Sequence, residues 1–226
     1  MFITCLGGFG SGKTAVATSI ASGLGIDLNT TMIGRTYGLS ASDCGRYVAL
    51  GNYRPRGDGS YTGGMDSMSG QEERFAFLES EWLKDSREII IAESHMISYW
   101  KSFWKRIRDE LLPKRKRSLL VLFLYVSENI VADRWKYRSS RKQFSINNYR
   151  SKSRSAELLL ERISSDRRLR KYLICKKFRN NDEKDISKII KFTSKKISKV
   201  KGINVSCPIL VSRRDGSADV TVHSIF

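Results

Sequence analysis

The chain has 226 residues, of which 40% are hydrophobic, and this is enough for one domain with an apolar core. Only two histidines and four widely spaced cysteines are present, without a Cys-x-x-Cys pair, which argues against a zinc site and favours reduced cysteines in a cytosolic chain. No apolar run approaches the ~20 residues of a membrane span, and the start of the chain lacks the pattern of a signal peptide.

The formal net charge of +18 is concentrated in the second half of the chain. Residues 1–100 contain 8 Lys/Arg and 11 Asp/Glu, whereas residues 101–226 contain 33 Lys/Arg and 12 Asp/Glu, so the halves carry −3 and +21. Such a basic half predicts a polyanionic partner, of which nucleic acid is the simplest choice. The alternative is a solvated basic surface without a partner.

Buried strands and helices are predicted to alternate along the chain, because apolar runs without alternation are separated by segments of helical period. The predicted strands are 2–6, 31–34, 88–92 and 119–126. The predicted helices are 15–24, one that follows a capping box at 69–72 with Phe75, Leu78 and Trp82 on one face, 97–111 ending before Pro113, and 130–137. This order predicts a three-layer α/β domain with a mainly parallel sheet of about five strands.

The basic second half is predicted to continue on the same domain, since no linker separates it from the rest. Its predicted elements are a basic turn at 114–117, helices at 151–170 and 182–200, and two short strands within 203–225 around a hairpin at 213–216. We therefore expect a core at 1–165, and basic helices and strands at 166–226 that pack on it.

Eight residues match the phosphate-binding loop G-x-x-x-x-G-K-[S/T] and sit at the strand–helix junction that this loop requires. Glycines let successive N–H groups turn inward around a phosphate, and the helix that follows adds its positive N-terminus. Lys13 is expected to reach the β- and γ-phosphates and Thr14 to place its hydroxyl on Mg²⁺. The predicted nucleotide-binding residues are Gly7, Gly8, Phe9, Gly10, Ser11, Gly12, Lys13 and Thr14.

Two further features suit phosphoryl transfer. Glu93 ends the buried run 88–92 and is expected to hold the magnesium shell or to act as base toward an acceptor hydroxyl; the alternative is a surface carboxylate. Arg134, Arg138 and Arg141 follow the central strand at spacings of four and three residues, on one helical face. We interpret 134–142 as a lid over the transferred phosphoryl group, the alternative being a solvated helix end.

Residues 26–70 are predicted to be largely irregular, and within them the glycine-rich segment at about 34–70 interleaves aromatic residues with arginines. This composition favours a pocket that stacks on a base and touches phosphates, although a long structural loop is the alternative. Asp66 is a candidate to grip the acceptor hydroxyl, so the base is either Glu93 or Asp66. The predicted substrate-binding residues are Arg35, Tyr37, Tyr53, Arg54, Tyr61 and Asp66.

The order of these motifs resembles that of bacteriophage P-loop kinases, and more narrowly those that phosphorylate 5-hydroxymethyluracil within DNA. The resemblance covers about residues 1–165 and departs from the family at Ser94, where a glycine is expected. Its specific motifs are Gly34-Arg35-x-Tyr37-Gly38, Gly51-Asn52-Tyr53, Tyr61-Thr62-Gly63-Gly64-x-Asp66 and Asn147-Asn148-Tyr149-Arg150-Ser151-Lys152. The resemblance implies a kinase fold, ATP with Mg²⁺, a hydroxyl on a DNA base as acceptor, and the host-cell cytoplasm as the location.

The expected function is therefore an ATP-dependent kinase whose DNA substrate is held mainly through its phosphates. The alternatives are a kinase of nucleosides, nucleotides or other small metabolites, and a nucleic-acid-stimulated ATPase. The expected catalytic residues are Lys13, Glu93, Asp66, Arg134, Arg138 and Arg141, with Thr14 and Glu93 at the metal. The expected phosphate-contacting clusters are 114–117, 134–142, 150–154, 167–171 and 195–201.

Overall fold

A computed structural model describes most of the chain. The described residues are 1–28, 32–33, 37–42, 44–55, 61–68, 70–138 and 144–199. For Tyr37, Tyr61 and Arg138 the structure describes the backbone only. Within these ranges, no helix has both the length and the apolar character that a membrane crossing requires.

Within the described ranges, seven strands form the main sheet and two more form a separate ribbon. The strands are β1 Phe2–Gly7, β2 Met32–Ile33, β3 Tyr37–Ala41, β4 Tyr47–Leu50, β5 Arg54–Pro55, β6 Tyr61–Thr62, β7 Ile89–Ala92, β8 Leu119–Tyr125 and β9 Leu173–Arg179. The order in the main sheet is β2-β3-β4-β7-β1-β8-β9, with parallel pairing from β4 through β9 and antiparallel pairing of β3 with both its neighbours. The predicted mainly parallel sheet is confirmed.

The helices connect these strands and cover both faces of the sheet. They are α1 Lys13–Gly23, α2 Gln71–Leu83, α3 His95–Tyr99, α4 Lys101–Arg106, α5 Leu112–Lys114, α6 Glu128–Arg138, α7 Ile146–Ser165, α8 Arg167–Arg170 and α9 Glu183–Ile197. A 3₁₀ turn spans Gly64–Ser67, and a π-helical turn spans Ile107–Leu111 between α4 and α5.

Alternate residues of each central strand point into two separate cores. Phe2 and Leu6 of β1 pack with α2, α3, α4 and α7 on one face. Ile3 and Cys5 pack with α1 and α9 on the other. The chain is therefore a three-layer α/β domain, as predicted, and because β1, β7, β8 and β9 are parallel, their carboxyl ends meet at one edge of the sheet.

Several element predictions are wrong. The segment 26–70 is not largely irregular, because β4 is a fully buried strand parallel to β7. The predicted helix 151–170 begins at Ile146, and residues 173–179 form the edge strand β9, for which no strand was predicted. The predicted helix 97–111 is interrupted at Trp100, whose backbone is extended. The hairpin predicted within 203–225 lies outside the described residues.

Two predicted helix ends also differ. The capping box predicted Ser69 as the N-cap of α2, but the helix begins at Gln71 and Gly70 occupies the N-cap position without a side-chain hydrogen bond. Helical structure also does not end before Pro113, because this proline lies in the first turn of α5, where a missing N–H costs no hydrogen bond.

Candidate active site

The phosphate-binding loop joins β1 to α1 and has the backbone geometry that its glycines allow. Gly7, Gly10 and Gly12 have positive φ of 150°, 73° and 80°. Side chains from later elements pack closely against the loop. A Cβ at Gly12 would lie 2.5 Å from Asn180 Nδ2, and a Cβ at Gly10 would lie 3.0 Å from Val131 Cγ1. The loop is therefore held in shape by contacts as well as by its own sequence.

Lys13 is the first residue of α1 and is only 8% exposed. Its Nζ donates to the carbonyl oxygens of Gly7 and Gly8, both at 3.1 Å. The ammonium group therefore lies against the start of the loop at the N-terminus of α1, where an anion is favoured by both the helix and the lysine charge.

Thr14 and Glu93 meet at the carboxyl edge of the sheet. The Thr14 hydroxyl donates to Glu93 Oε1 at 2.9 Å, and Glu93 is 2% exposed. Glu93 follows β7, which pairs with β1 in parallel, so that the sheet brings this carboxylate to the phosphate loop. The surface-carboxylate alternative for Glu93 is excluded, because the residue is buried.

Gly51 and Gly64, two residues within the glycine-rich segment, approach each other beside Glu93. A Cβ at Gly51 would collide with the Gly64 backbone, and one at Gly64, where φ is +73°, would collide with Glu93 Oε1. The Met65 N–H donates to the Glu93 carbonyl at 3.1 Å, and Ser67 Oγ donates to the Gly64 carbonyl at 2.6 Å. The part of the segment around Gly64 and Met65 is therefore fixed against the candidate catalytic carboxylate, Glu93.

Asp66 lies in the 3₁₀ turn and is bonded to the next element. Its Oδ1 and Oδ2 accept from the His95 N–H at 2.9 and 3.0 Å, and Arg74 Nη1 approaches Oδ1 at 3.7 Å. His95 Nε2 lies 3.6 Å from Oδ2. The carboxylate thus holds the N-terminus of α3, immediately after Glu93 and Ser94, and positions the segment that carries Glu93.

Tyr53 does not offer the exposed ring that was expected for base stacking. It is 4% exposed and packs in the core beneath α1, with its hydroxyl unpartnered among the described residues. Burial and, next, the charge of Glu93 raise the pKa of this hydroxyl well above its usual range. The prediction that Tyr53 stacks on a base is wrong, because core side chains already cover its ring. Tyr53 instead places a buried hydroxyl close to Glu93.

Arg134 of α6 braces the phosphate loop. Its guanidinium donates to the Gly10 carbonyl at 3.1 Å and to the carbonyls of Asn180 and Asn181 at 2.9 and 3.1 Å. Asn180, which is fully buried, in turn donates from Nδ2 to the Ser11 carbonyl at 2.7 Å. Arg134 and the turn after β9 therefore hold the loop together, and the sequence analysis missed Asn180 because its partner is 169 residues away.

An aromatic group beside the phosphate loop was not predicted as a unit. His95 contacts Phe9 edge-on at 4.7 Å between ring centroids and stacks on Tyr99 at 5.9 Å. The Tyr99 hydroxyl donates to the Gly7 carbonyl at 3.1 Å. Burial lowers the pKa of His95, while the nearby Asp66 charge raises it in part, so its neutral form is favoured. Phe9 was the only signal for this group, as an aromatic residue inside the loop.

The remaining predicted site residues are placed only in part. Arg54 lies in β5 and is exposed. Tyr37 and Tyr61 lie in β3 and β6, and Arg138 ends α6. Arg35 and Arg141 lie outside the described residues.

The basic run 114–117 is only partly exposed, with Lys114 and Lys116 at the surface and Arg117 buried. Lys114 ends α5 and pairs with Glu79 at 2.6 Å. Arg117 is 6% exposed and donates to the Trp82 carbonyl at 2.8 and 3.0 Å, and burial lowers its pKa to about 10. The prediction that this run contacts nucleic-acid phosphates is therefore wrong for Arg117, because its guanidinium caps the end of α2 inside the domain.

Comparisons with known proteins add little to this picture. No protein-family model and no curated protein matches the chain. Among solved structures, the chain is similar to deoxyadenosine kinase from M. mycoides with bound dCTP, at 12% sequence identity and a TM-score of 0.42. The match covers 88% of this chain and 100% of that chain. A likeness this distant leaves the activity to be argued from the residues of the site.

Proposed function

We propose that this chain is a kinase that transfers the γ-phosphoryl group of ATP to a hydroxyl group. The observation that carries the proposal is the 2.9 Å contact between Thr14 Oγ1 and Glu93 Oε1, beside Lys13 and the phosphate loop. A hydroxyl suited to a metal ion, a buried carboxylate and a phosphate-binding lysine thus converge at the carboxyl edge of one parallel sheet.

The donor nucleotide would be held by the loop N–H groups and by Lys13. Thr14 and Glu93 fit Mg²⁺, because this ion prefers oxygen ligands and is usually bound through one or two protein side chains together with phosphates and water. When bound, Mg²⁺ would neutralise phosphate charge. Arg134, which touches the loop at Gly10, would keep the loop N–H groups in place for that ligand.

The acceptor hydroxyl would lose its proton to Glu93. Its oxygen forms a bond to the γ-phosphorus, the bond from the γ-phosphorus to the β–γ bridging oxygen breaks, and ADP leaves. We assign this role to Glu93 rather than Asp66 because Glu93 contacts Thr14 directly, whereas Asp66 is bonded to the backbone of His95. Asp66 is then a positioning residue.

For the acceptor itself we propose 5-hydroxymethyluracil within DNA. Support comes from the motifs at 34–66, which resemble those of the phage DNA kinases, and from the +21 charge of residues 101–226. A small-molecule acceptor would not require such a charge. Gly64 of the glycine-rich segment also lies against Glu93, where the proposed acceptor would approach.

The test offers γ-labelled ATP with four acceptors side by side: DNA containing 5-hydroxymethyluracil, matched unmodified DNA, free nucleosides and water. We expect label on the modified DNA only. Label on free nucleosides would replace the DNA acceptor with a small molecule and keep the kinase. Release of inorganic phosphate in proportion to plain DNA, without labelled acceptor, would show an ATPase and overturn the proposal.

A further inference from the structure

A second concave site lies away from the phosphate loop, between α4 and α7. It has a volume of about 250 Å³. Its floor is part of the hydrophobic core, with Trp104 and Ile163 each 2% exposed and Leu159 3% exposed. Because the floor side chains are packed, the charged residues at the rim stand on two rigid helices rather than on loops.

Three exposed cations stand at the rim of this groove. Lys101 and Lys105 project from α4 and Arg162 from α7, all three are exposed, and none forms an ion pair with a residue that the structure describes. Arg108, also at the rim, is neutralised by Asp109 at 2.6 Å and by Asp166 at 2.8 Å. The groove therefore presents three exposed positive charges around an apolar floor, and Asp109 is a carboxylate close enough to interact with Lys105.

Helix α7, which forms one wall of the groove, also reaches the candidate active site at its other end. Lys152 Nζ lies 5.3 Å from the centre of the Tyr99 ring, and the Tyr99 hydroxyl reaches the Gly7 carbonyl. The neighbouring Ser153 touches the loop, since a Cβ at Gly8 would collide with its Oγ. Lys152 and Arg162 are ten residues apart on one helix, or ~15 Å, which matches about four nucleotide steps at ~3.4 Å per step.

We propose that this groove binds the phosphates of the DNA strand that carries the acceptor base. Lys152 holds the phosphate nearest to the phosphate loop, and Lys101, Lys105 and Arg162 hold phosphates further along the strand. The inference rests on the proposed function, which supplies the DNA acceptor. Two observations support it: the rim cations match the charge of DNA phosphates, and α7 connects the groove with the active site. The groove is not proposed to recognise bases.

The experiment compares two charge-reversed forms of the full chain. The groove variant is Lys105→Glu with Arg162→Glu. The matched control is Lys184→Glu with Lys191→Glu, two exposed lysines of α9 on the opposite face of the sheet, which change the net charge by the same amount. Affinity for a ~20-base-pair duplex is titrated over a range of salt concentrations, and the midpoint of thermal unfolding confirms that both variants are folded.

We expect the groove variant to bind the duplex roughly tenfold more weakly or worse, and its log–log salt slope to shrink by about 0.9 for each lost contact, or about 1.8 in all. The control should bind like the unsubstituted chain. Equal losses of duplex affinity in both variants would show that the overall charge of the chain, and not the groove, determines binding. That result would overturn the proposed site. Competition by polyglutamate as effective as that by DNA of the same charge would also overturn it, in favour of an acidic-protein surface.

Failure of the groove and failure of the proposed function give different results. If the unsubstituted chain transfers phosphate but binds no duplex at low salt, the groove proposal falls and the kinase stands. If the chain binds the duplex through the groove but labels no acceptor, the kinase proposal falls and the groove stands as a DNA-binding surface.

Discussion

The Thr14 hydroxyl donates to Glu93 Oε1 at 2.9 Å across 79 residues of sequence, and this contact joins the phosphate loop to the end of β7. Parallel pairing of β1 with β7 makes the contact possible, since it sets Thr4 beside Ala92 and so brings both strand ends to one edge. Gly51 and Gly64 approach each other beside the same carboxylate. The segments proposed to bind the donor and the acceptor therefore share one buried group.

Removal of the Thr14 hydroxyl should strongly slow phosphoryl transfer without unfolding the chain. Thr14→Val keeps the shape of the side chain but loses the bond to Glu93 and the candidate metal ligand. We expect the transfer rate to fall about 100-fold and the free energy of unfolding to fall by ~1–3 kcal/mol. Thr14→Ser is the matched control and should keep most of the activity. Full activity in Thr14→Val would remove this hydroxyl from the mechanism.

Glu93 and Asp66 should separate into different roles. Glu93→Gln removes the proposed proton acceptor and should lower the maximal rate by ~10²–10⁴-fold. Asp66→Asn weakens the hold on the His95 N–H and Arg74, so it should act mainly on thermal stability, with a smaller loss of rate. Single-turnover transfer and thermal unfolding of both variants provide the measurement. A larger rate loss in Asp66→Asn than in Glu93→Gln would reverse the assignment.

A side chain should be tolerated at Gly25 but not at Gly64. Both have positive φ, +73° and +69°, but a Cβ at Gly64 would collide with Glu93 Oε1, whereas nothing lies within 4 Å of a Cβ at Gly25. Gly25→Ala should cost ~1–2 kcal/mol of backbone strain and keep activity. Gly64→Ala should cost more and also lower the transfer rate. Similar stability and activity losses in the two variants would show that Gly64 does not position Glu93.

Stability should fall in acid partly through Asp109. The hydrogen bond from Arg108 is the main cause that lowers the pKa of this carboxyl from its usual value. The folded chain thus holds Asp109 ionised where the unfolded chain binds a proton, so the contribution is present above pH ~4 and is lost as the pH falls further. Urea denaturation at several pH values between 3 and 6 should give a flatter pH dependence for Asp109→Asn. An unchanged slope would mean that Arg108 does not stabilise the ionised form.

The sequence predicts the parts of the site that are local. The glycine loop with Lys13 and Thr14 is one contiguous pattern, and Glu93 follows an unbroken apolar run, so both could be predicted without the fold. The three-layer architecture follows from the same runs. The convergence of Thr14 and Glu93 was an expectation from parallel strands, and the sheet shows it.

The parts that depend on long-range packing could not be predicted. The strand β9 contains two lysines and one arginine, so it lacks the apolar run of a central strand. The turn after it nevertheless supplies Asn180 to the phosphate loop. Tyr53 lies in a polar, glycine-rich segment, but the chain turns inward there and buries its ring. Arg117 belongs to a basic run and is buried because backbone carbonyls at the end of α2 accept its hydrogen bonds.

The most direct test of the central claim is transfer of label from γ-labelled ATP to DNA containing 5-hydroxymethyluracil, measured for the unsubstituted chain and for Lys13→Ala. Lys13 donates to two loop carbonyls, so thermal unfolding of the variant is recorded alongside to confirm the fold. We predict that the unsubstituted chain labels the DNA and that folded Lys13→Ala does not. Full labelling by folded Lys13→Ala would contradict the assigned phosphate site, and the absence of label on the DNA with the unsubstituted chain would contradict the proposed DNA acceptor.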